Sequence, residues 1–311
     1  MRYLKTLVIT TFCIVLTSGA YATTHEATQT DWSGGPDVPG PVTDWDDTFD
    51  TSTDVSWLDF PGELHLSSSP KTSVEHTVDG SFDGAISVHA ADIDGDGDMD
   101  VLGAGRYAHD ITWWSNDDGF GTSWTEHRIV DYFDGAHSVY AADVDDDGDK
   151  DVLGAAPYDN EIALWSNGDG IGTFWTYCQI DGDFDQAVSV YAADIDDDGD
   201  IDVLGAAYVA DDIAWWSNDD GTGTSWTKHA VDEDFDEAIS VCAADVDGDG
   251  DMDVLGAAHD DDDITWWSND DGSGTSWTEH TVDGEFDGAF SVYAADVDGD
   301  GDADVLGAAR Y

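Results

Sequence analysis

The chain has 311 residues, enough for one large domain or two small ones. It carries 71 aspartates and glutamates against eight lysines and arginines, and its formal net charge of -63 would repel phosphates, so nucleic acid is excluded as a partner. Its 41% hydrophobic and 12% aromatic content excludes a disordered acidic tail and predicts a folded acidic protein.

The first 22 residues have the pattern of a secretory signal peptide. Arg2 and Lys5 form a basic start, and the apolar stretch that follows is too short to span a bilayer comfortably. An Ala-Tyr-Ala triplet ending at Ala22 supplies the cleavage site. We therefore predict a secreted, extracellular or cell-surface protein without a membrane span. Residues 23–53, rich in Thr, Gly, Pro and Asp, are predicted to form a linker or an extended arm.

The remainder of the chain, 54–311, is dominated by an internal repeat. The segment ADIDGDGDMDVLGAG at 91–105 recurs four more times at a constant period of 51 residues, without insertion or gap. When the repeats are aligned, other positions, here called columns, also carry the same residue type every 51 residues. The phenylalanines that open the five repeats are Phe82, Phe133, Phe184, Phe235 and Phe286.

Each repeat predicts four short β-strands separated by turn signals. In the first repeat these strands cover 86–91, 100–104, 111–115 and 123–130, with the acidic loop between the first two and an Asn-Asp-Asp-Gly turn after the third. No segment has the pattern of an amphipathic helix. Four strands in a repeat of about 40–50 residues predict an all-β fold, a β-propeller of four-stranded blades.

The two ends of the repeat region are predicted to share one blade. The fifth repeat reaches Tyr311 after two strands, while 73–78 resembles a fourth strand and 54–60 resembles a third. We expect these strands to close a five-bladed ring, since closure removes open sheet edges. The alternative is that the chain is a fragment of a seven-bladed ring.

The acidic loop has the pattern Asp-x-Asp-x-Asp-Gly-x-x-Asp. Carboxylates at positions 1, 3 and 5 of a tight loop can turn to a common centre, and glycine at position 6 permits the sharp reversal. A backbone carbonyl at position 7 and the aspartate at position 9 would complete the shell. This irregular set of oxygens favours Ca²⁺ over Mg²⁺, and the lack of His and Cys disfavours zinc and copper. An EF-hand is excluded because position 12 is glycine and the flanking segments are strands.

We therefore predict one Ca²⁺ site in each repeat, about five in all. The predicted ligands are Asp92, Asp94, Asp96, Asp100, Asp143, Asp145, Asp147, Asp151, Asp194, Asp196, Asp198, Asp202, Asp245, Asp247, Asp249, Asp253, Asp296, Asp298, Asp300 and Asp304.

The loops in their strand context resemble the FG-GAP/VCBS repeat family, the Ca²⁺-binding propeller repeats also found in the head of integrin α chains. The resemblance covers 54–311 and places Asp92, Asp94, Asp96 and Asp100, with their equivalents, on the family's ligand positions. The Phe-Gly and Gly-Ala-Pro pieces that name the family occur here only as FDGA and LGAA, with one GAAP ending at Pro157. The five repeats also fall short of the family's usual seven, which bears on ring size and not on the metal loops.

Three further groups are interpreted as structural. The tryptophan pairs of the third strands are expected to pack between blades rather than to form a sugar-stacking platform. Cys178 and Cys242 belong to different columns on different strands, so no disulfide between them is expected. A column of histidines on the fourth strands is expected to contain cross-strand neighbours and not a ring of metal ligands. That column consists of His76, His127, His229 and His280, with Cys178 in the remaining place.

These observations predict a secreted Ca²⁺-binding propeller that acts as a binding or adhesion module for an extracellular protein or carbohydrate ligand. We expect it not to be an enzyme, because no repeated catalytic group stands out. The alternative is a catalytic or non-catalytic part of a secreted polysaccharide-degrading enzyme, which predicts repeat-breaking residues clustered on one face. A third hypothesis is a structural spacer in a larger surface assembly.

Overall fold

The computed structural model describes residues 54–57, 64–67 and 75–310. Every regular element in these ranges is a β-strand, which confirms the predicted all-β class for this part of the chain. The described residues contain no apolar helix of membrane-spanning length. The predicted signal peptide at 1–22 and the arm at 23–53 lie outside the described residues.

The strands follow the repeat. A hairpin of β1 (Asp54–Trp57) and β2 (Leu64–Ser67) precedes it. The first repeat contains β3 (Ala85–Ala91), β4 (Asp100–Gly105), β5 (Asp110–Asn116) and β6 (Trp124–Val130). The second contains β7 (Ser138–Ala142), β8 (Asp151–Ala156), β9 (Glu161–Asn167) and β10 (Trp175–Asp181). The third contains β11 (Ala187–Ala193), β12 (Asp202–Ala207), β13 (Asp212–Asn218) and β14 (Trp226–Asp232). The fourth contains β15 (Ala238–Ala244), β16 (Asp253–Ala258), β17 (Asp263–Asn269) and β18 (Trp277–Asp283), and the fifth β19 (Ala289–Ala295) and β20 (Asp304–Ala309).

Each of the first four repeats forms one antiparallel sheet in which the strands pair in chain order. In the first repeat the predicted strands agree with the observed bounds to within one residue at each end. The first strands of consecutive repeats lie side by side. In β7 the Val139 N–H donates to the hydroxyl oxygen of Ser87 in β3 at 3.3 Å. The same bond links Val190 to Ser138. The first strands are therefore the inner strands of a curved array of sheets.

The hydrophobic core lies between consecutive sheets rather than within one. One buried cluster joins Trp113 of the first repeat to Phe133 and Trp165 of the second, and an equivalent cluster occurs at each of the next three boundaries. Strands such as β8 and β12 are buried along their whole length because neighbouring sheets cover both faces. Phe133 and Trp165 meet edge to face with ring centroids 5.0 Å apart. The expected packing role of the tryptophan pairs is confirmed for these repeats.

The glycine of the Leu-Gly-Ala sequence in the second strand allows neighbouring sheets to approach closely. A Cβ atom at Gly205 would lie 2.4 Å from Cδ1 of Ile162, which belongs to the preceding repeat, and 2.9 Å from the ring of Trp216. Ile162 and Trp216 are almost completely buried and have no free space to move into. A side chain at this position would therefore separate the two sheets.

A cavity of about 380 Å³ lies at one end of the inner strands. It is lined by residues at equivalent positions of all five repeats, beginning with Ile86 near the start of β3 and Arg106 just after β4. The acidic loop of the same hairpin connects the other ends of β3 and β4. The cavity and the acidic loops thus lie at opposite ends of the inner strands.

The predicted shared blade is not formed by the strands proposed for it. Asp54–Trp57 is a strand, but it pairs with Leu64–Ser67 in a separate two-stranded hairpin. Residues 75–78, predicted as part of a fourth strand, have no strand conformation. The described part of the fifth repeat accordingly forms a sheet of two strands. Local pairing of two segments only a few residues apart has a lower loop-closure cost than pairing across the whole chain.

Candidate metal centres

The acidic loops connect the first and second strands of all five repeats. In every loop the glycine at position 6 has a left-handed backbone, with φ between 95° and 104°, a conformation that glycine adopts without a steric penalty. These residues are Gly97, Gly148, Gly199, Gly250 and Gly301. The predicted sharp reversal at this position is confirmed.

The loops bring their carboxylates together. In the first loop one oxygen from each of Asp92, Asp94 and Asp96 lies within 4.8 Å of the others. The fourth loop gathers its aspartates at positions 1, 3 and 5 in the same way. In the second and third loops the close group combines positions 1 and 3 with the buried aspartate at position 9, Asp151 or Asp202.

Backbone amides hold these carboxylates in place. Gly97 N–H donates to Oδ2 of Asp92 at 3.0 Å, and Asp98 N–H donates to Oδ1 of Asp96 at 2.9 Å. The bond from the position 6 glycine to the position 1 aspartate recurs in all five loops. In the first three loops this bond leaves Oδ1 of the position 1 carboxylate for another partner, whereas in the fourth and fifth loops Oδ1 also accepts, from Gly248 or Gly299 N–H at 2.7 Å.

Several of the remaining oxygens are buried without a hydrogen-bond partner. They are Oδ1 of Asp92, Asp143, Asp145, Asp194 and Asp196. A carboxylate oxygen that is removed from water and left unpaired is unfavourable by about 1–3 kcal/mol or more. A cation among these oxygens would remove that penalty and the mutual repulsion of the carboxylates, so the donor set fits a hard divalent metal such as Ca²⁺.

The aspartate at position 9 has a second, structural role that the sequence did not reveal. Asp100 accepts hydrogen bonds from the amides of Ile93 and Asn116, each at 2.9 Å, and its side chain is 1% exposed. It thus ties the loop to the end of the third strand. Burial raises the pKa of Asp100 to about 6, and the same cause raises the pKa of Asp151 to about 6 and that of Asp202 to about 7.

The fifth loop has fewer supporting contacts than the others. Val297 N–H donates to Oδ2 of Asp304 at 2.9 Å, as in the other repeats. The described part of this repeat has no third strand to supply the second donor, and Val297 is 61% exposed. The aspartates at positions 1, 3, 5 and 9 of this loop remain predicted ligands, and fewer contacts hold them in place than in the other loops.

An asparagine at the end of the third strand connects each of the second, third and fourth repeats to the acidic loop of the repeat before it. The amide nitrogen of Asn167 donates to the carbonyl oxygen of Ile93 at 3.0 Å, and its Oδ1 accepts from Gly172 N–H at 3.0 Å. Asn218 and Asn269 make the same bonds to the preceding loops. The sequence predicts only a turn at this residue, although the asparagine recurs at a strict 51-residue period.

The histidine column has the structural role expected of it. His127 stacks on Trp113, its cross-strand partner, with ring centroids 4.3 Å apart, and it hydrogen-bonds with the Ser115 hydroxyl at 3.1 Å. His229 and His280 repeat the arrangement, whereas His76 lies outside any strand. In the second repeat Cys178 stands opposite Leu164 instead.

The two described cysteines, Cys178 and Cys242, are both free. The expectation that they form no disulfide is therefore confirmed.

A model of the FG-GAP-like repeat matches residues 92–154, 143–205, 194–256 and 245–307. Together the matches span more than half of the chain. Each one begins at the first aspartate of an acidic loop and ends at the second-strand glycine of the following repeat. No curated protein matches the chain.

Proposed function

The chain belongs to the FG-GAP-like repeat family, and from this premise we propose that it is a Ca²⁺-binding β-propeller that acts as a binding or adhesion module. The observation that carries the metal assignment is the set of buried carboxylate oxygens without partners, such as Oδ1 of Asp92 and Asp194. Ca²⁺ suits them because it accepts irregular shells of oxygen ligands. The family membership supports the role as a module that binds another molecule.

The closure of the sheets into a ring is part of the proposal. Inner-strand positions of all five repeats line one cavity, which is the arrangement that a propeller axis requires. We keep a five-bladed ring as the first form and a fragment of a seven-bladed ring as the alternative. Small-angle scattering combined with an intact mass separates a closed, compact ring from an open arc.

Secretion and domain layout are also proposed. We propose a signal peptide over 1–22, an arm over 23–53 and the repeat domain over 54–311, with an extracellular or cell-surface location. Expression with the natural N-terminus in a secreting host should release a protein whose mass corresponds to cleavage near Ala22. Retention of the full-length mass in the exported protein would contradict this layout.

Thermal melting with controlled metal tests the central proposal. The melting temperature should fall sharply in EDTA and recover with excess Ca²⁺, and Mg²⁺ should restore much less because it demands an octahedral shell. An unchanged melting curve in EDTA would contradict the metal assignment. Equal recovery with Mg²⁺ would contradict the preference for Ca²⁺.

The alternative of a polysaccharide-degrading enzyme remains the second candidate. It predicts repeat-breaking residues on one face, and the cavity gathers residues such as Arg106, Tyr208 and His259 at equivalent positions. A binding module uses the same feature, so turnover is the discriminating measurement. We propose that the protein is not an enzyme, and we expect no new reducing ends or unsaturated products from acidic or neutral polysaccharides.

A further inference from the structure

The cavity is lined by two columns in which the repeats differ, although their neighbours in the strands are nearly constant. The column on the first strands is Ile86, His137, Val188, Ile239 and Phe290. The column after the second strands is Arg106, Pro157, Tyr208, His259 and Arg310. The Asp-Val-Leu-Gly-Ala sequence just before the second column is the same in all five repeats. The side chains that face the cavity are thus among the positions at which the repeats differ most.

The cavity also concentrates positive charge in a strongly acidic chain. Two of the eight lysines and arginines, Arg106 and Arg310, line it. Burial lowers the pKa of His137, whose Nδ1–H donates to the Val188 carbonyl at 2.7 Å, so His137 adds no charge at neutral pH. The arginines are therefore the groups that make this surface positive.

Arg106 has an unsatisfied hydrogen-bonding capacity. Its Nη2 donates to the Tyr158 hydroxyl at 3.1 Å, but its Nε is buried without a partner, and no described carboxylate forms a salt bridge with it. By contrast, Arg128 pairs with Asp110 and Asp131 on the outer strand. Although the chain has 71 acidic residues, no described carboxylate pairs with Arg106, so its guanidinium group is available to the carboxylate of a bound ligand.

The residue type at one left-handed backbone position beside the cavity varies between the repeats as well. Gln186 and Glu237 have φ of 56° and 55° where the other three repeats have glycine. A left-handed backbone is unfavourable for such residues by about 1–2 kcal/mol. Strain of this kind occurs at binding sites. The carboxamide of Gln186, which lines the cavity, adds a polar group that glycine cannot offer.

His259, which lines the cavity, has hydrogen-bond acceptors beside it. Oε2 of Glu237 lies 3.1 Å from Nδ1 of His259, and Oδ1 of Asp260 lies 3.3 Å from the same nitrogen. A ligand that used both Arg106 and these acceptors would combine a carboxylate with hydrogen-bond donors such as hydroxyl groups. A volume of about 380 Å³ falls within the range of small-molecule sites and is too small for a folded protein domain.

We propose that this cavity, at the end of the inner strands opposite the acidic loops, binds a sugar acid through a carboxylate–Arg106 pair. This inference deepens the proposed function as a binding module and rests on it. Because Nε of Arg106 is buried, the two Nη groups of the guanidinium bind the carboxylate in two-point contact. Tyr158 keeps the guanidinium in place, and the acceptors around His259 receive the hydroxyl groups.

Calorimetric titration with digalacturonic acid in saturating Ca²⁺ tests this inference. Its methyl ester serves as the uncharged comparison, and a short aspartate-rich peptide serves as the acidic non-sugar. We expect the free acid to bind at least about tenfold more tightly than either, because only it supplies both the carboxylate and the hydroxyl donors. Equal affinity for acid and ester, binding of the peptide in preference to the sugar, or no binding of the acid would overturn the inference.

Two variants with the same charge change locate the site. Arg106→Gln should weaken binding of the acid by about tenfold or more and remove the difference between acid and ester, while Arg128→Gln should leave both unchanged. If Arg106→Gln still bound the free acid more tightly than the ester, Arg106 would not be the residue that binds the carboxylate. The melting temperature of each variant is also measured with Ca²⁺ and with EDTA. If the sugar acid does not bind while the melting temperature still depends on Ca²⁺, only this inference is contradicted. If the melting temperature does not depend on Ca²⁺, the proposed function is contradicted.

Discussion

The side-chain amide of Asn167 reaches into the preceding repeat and donates to the carbonyl oxygen of Ile93, 3.0 Å away. Ile93 is the second residue of an acidic loop, and Asn167 ends the third strand of the following sheet. One buried hydrogen bond thus joins a candidate metal loop to its neighbour. This relationship predicts that the loops and the interfaces between repeats are energetically coupled.

Asn167→Ala should destabilise the protein more than Asn116→Ala. Both substitutions remove two hydrogen bonds within the repeat. The asparagine Nδ2 donates to the carbonyl oxygen of Met99 or Lys150, and its Oδ1 accepts from the backbone N–H of Gly121 or Gly172. Only Asn167→Ala also leaves the buried carbonyl of Ile93 in the preceding repeat unpaired, which adds about 1 kcal/mol to the loss of stability. Urea unfolding of the two variants measures the difference. Equal losses would show that the inter-repeat bond contributes nothing.

Asp194→Asn should reduce Ca²⁺-dependent stabilisation, whereas Asp200→Asn should not. Asp194 has a buried oxygen without a partner, while the Asp200 carboxylate lies beside Gly221 in the turn after the third strand. A site weakened tenfold loses about 1.4 kcal/mol of stabilisation at saturating Ca²⁺. Both variants remove one negative charge, so they share any general electrostatic effect. The readout is the difference in melting temperature between Ca²⁺ and EDTA, and identical differences for the two variants would count against Asp194 as a ligand.

Gly205→Ala should be clearly more destabilising than Gly307→Ala. The added methyl group at 205 would lie 2.4 Å from a buried isoleucine, whereas the nearest atom at 307 is 3.2 Å away. Overpacking of this kind reduces stability by about 1–3 kcal/mol. Chemical denaturation gives both values, and comparable losses at the two positions would refute the argument from close sheet approach.

Acidification should destabilise the protein partly through His89. Burial, assisted by the charge of Lys150, lowers its pKa to about 4, and its ring lies 4.4 Å from that of Tyr140 in the next repeat. The folded state therefore prefers the neutral ring, so the contribution of His89 to stability is complete above pH 6.5 and decreases as the pH falls from 6.5 towards 4.

His89→Tyr introduces the residue that three other repeats have at this position. Between pH 7 and pH 4.5 the wild type should lose on the order of 1–2 kcal/mol more stability than this variant. Urea unfolding at both pH values in saturating Ca²⁺ provides the comparison. Parallel pH profiles would exclude His89 as a contributor.

Local features of the fold were accessible from the sequence, and relations between repeats were less so. The strand bounds, the reversal at Gly97 and the grouping of Asp92 with Asp94 and Asp96 each depend on a few adjacent residues whose geometry is set by residue type and spacing. The prediction of a blade shared by both chain ends was wrong in its strand assignment, because 54–57 pairs with the nearby segment 64–67.

The features that were missed depend on how consecutive sheets are arranged. Asn167 was assigned to a turn because its partner, Ile93, is 74 residues away. The double hydrogen bond of Asp100 needs the end of the third strand to lie beside the acidic loop. The cavity around Arg106 depends on the curvature of the whole array, which no single repeat encodes. The sequence does contain one signal of the cavity, because the repeats differ at the position of Arg106 while the preceding strand is constant.

The inter-repeat bond recurs at a fixed separation, since the donor and acceptor are 74 residues apart for Asn167, Asn218 and Asn269 alike. The contact that one repeat makes with the next is therefore nearly the same at these three boundaries. A gene encoding such an array can gain or lose one whole repeat by unequal recombination, and the new junction would reproduce the bonds of the old one. Changes in repeat number would then alter the length of the array and the cavity along its inner strands without a new interface having to evolve.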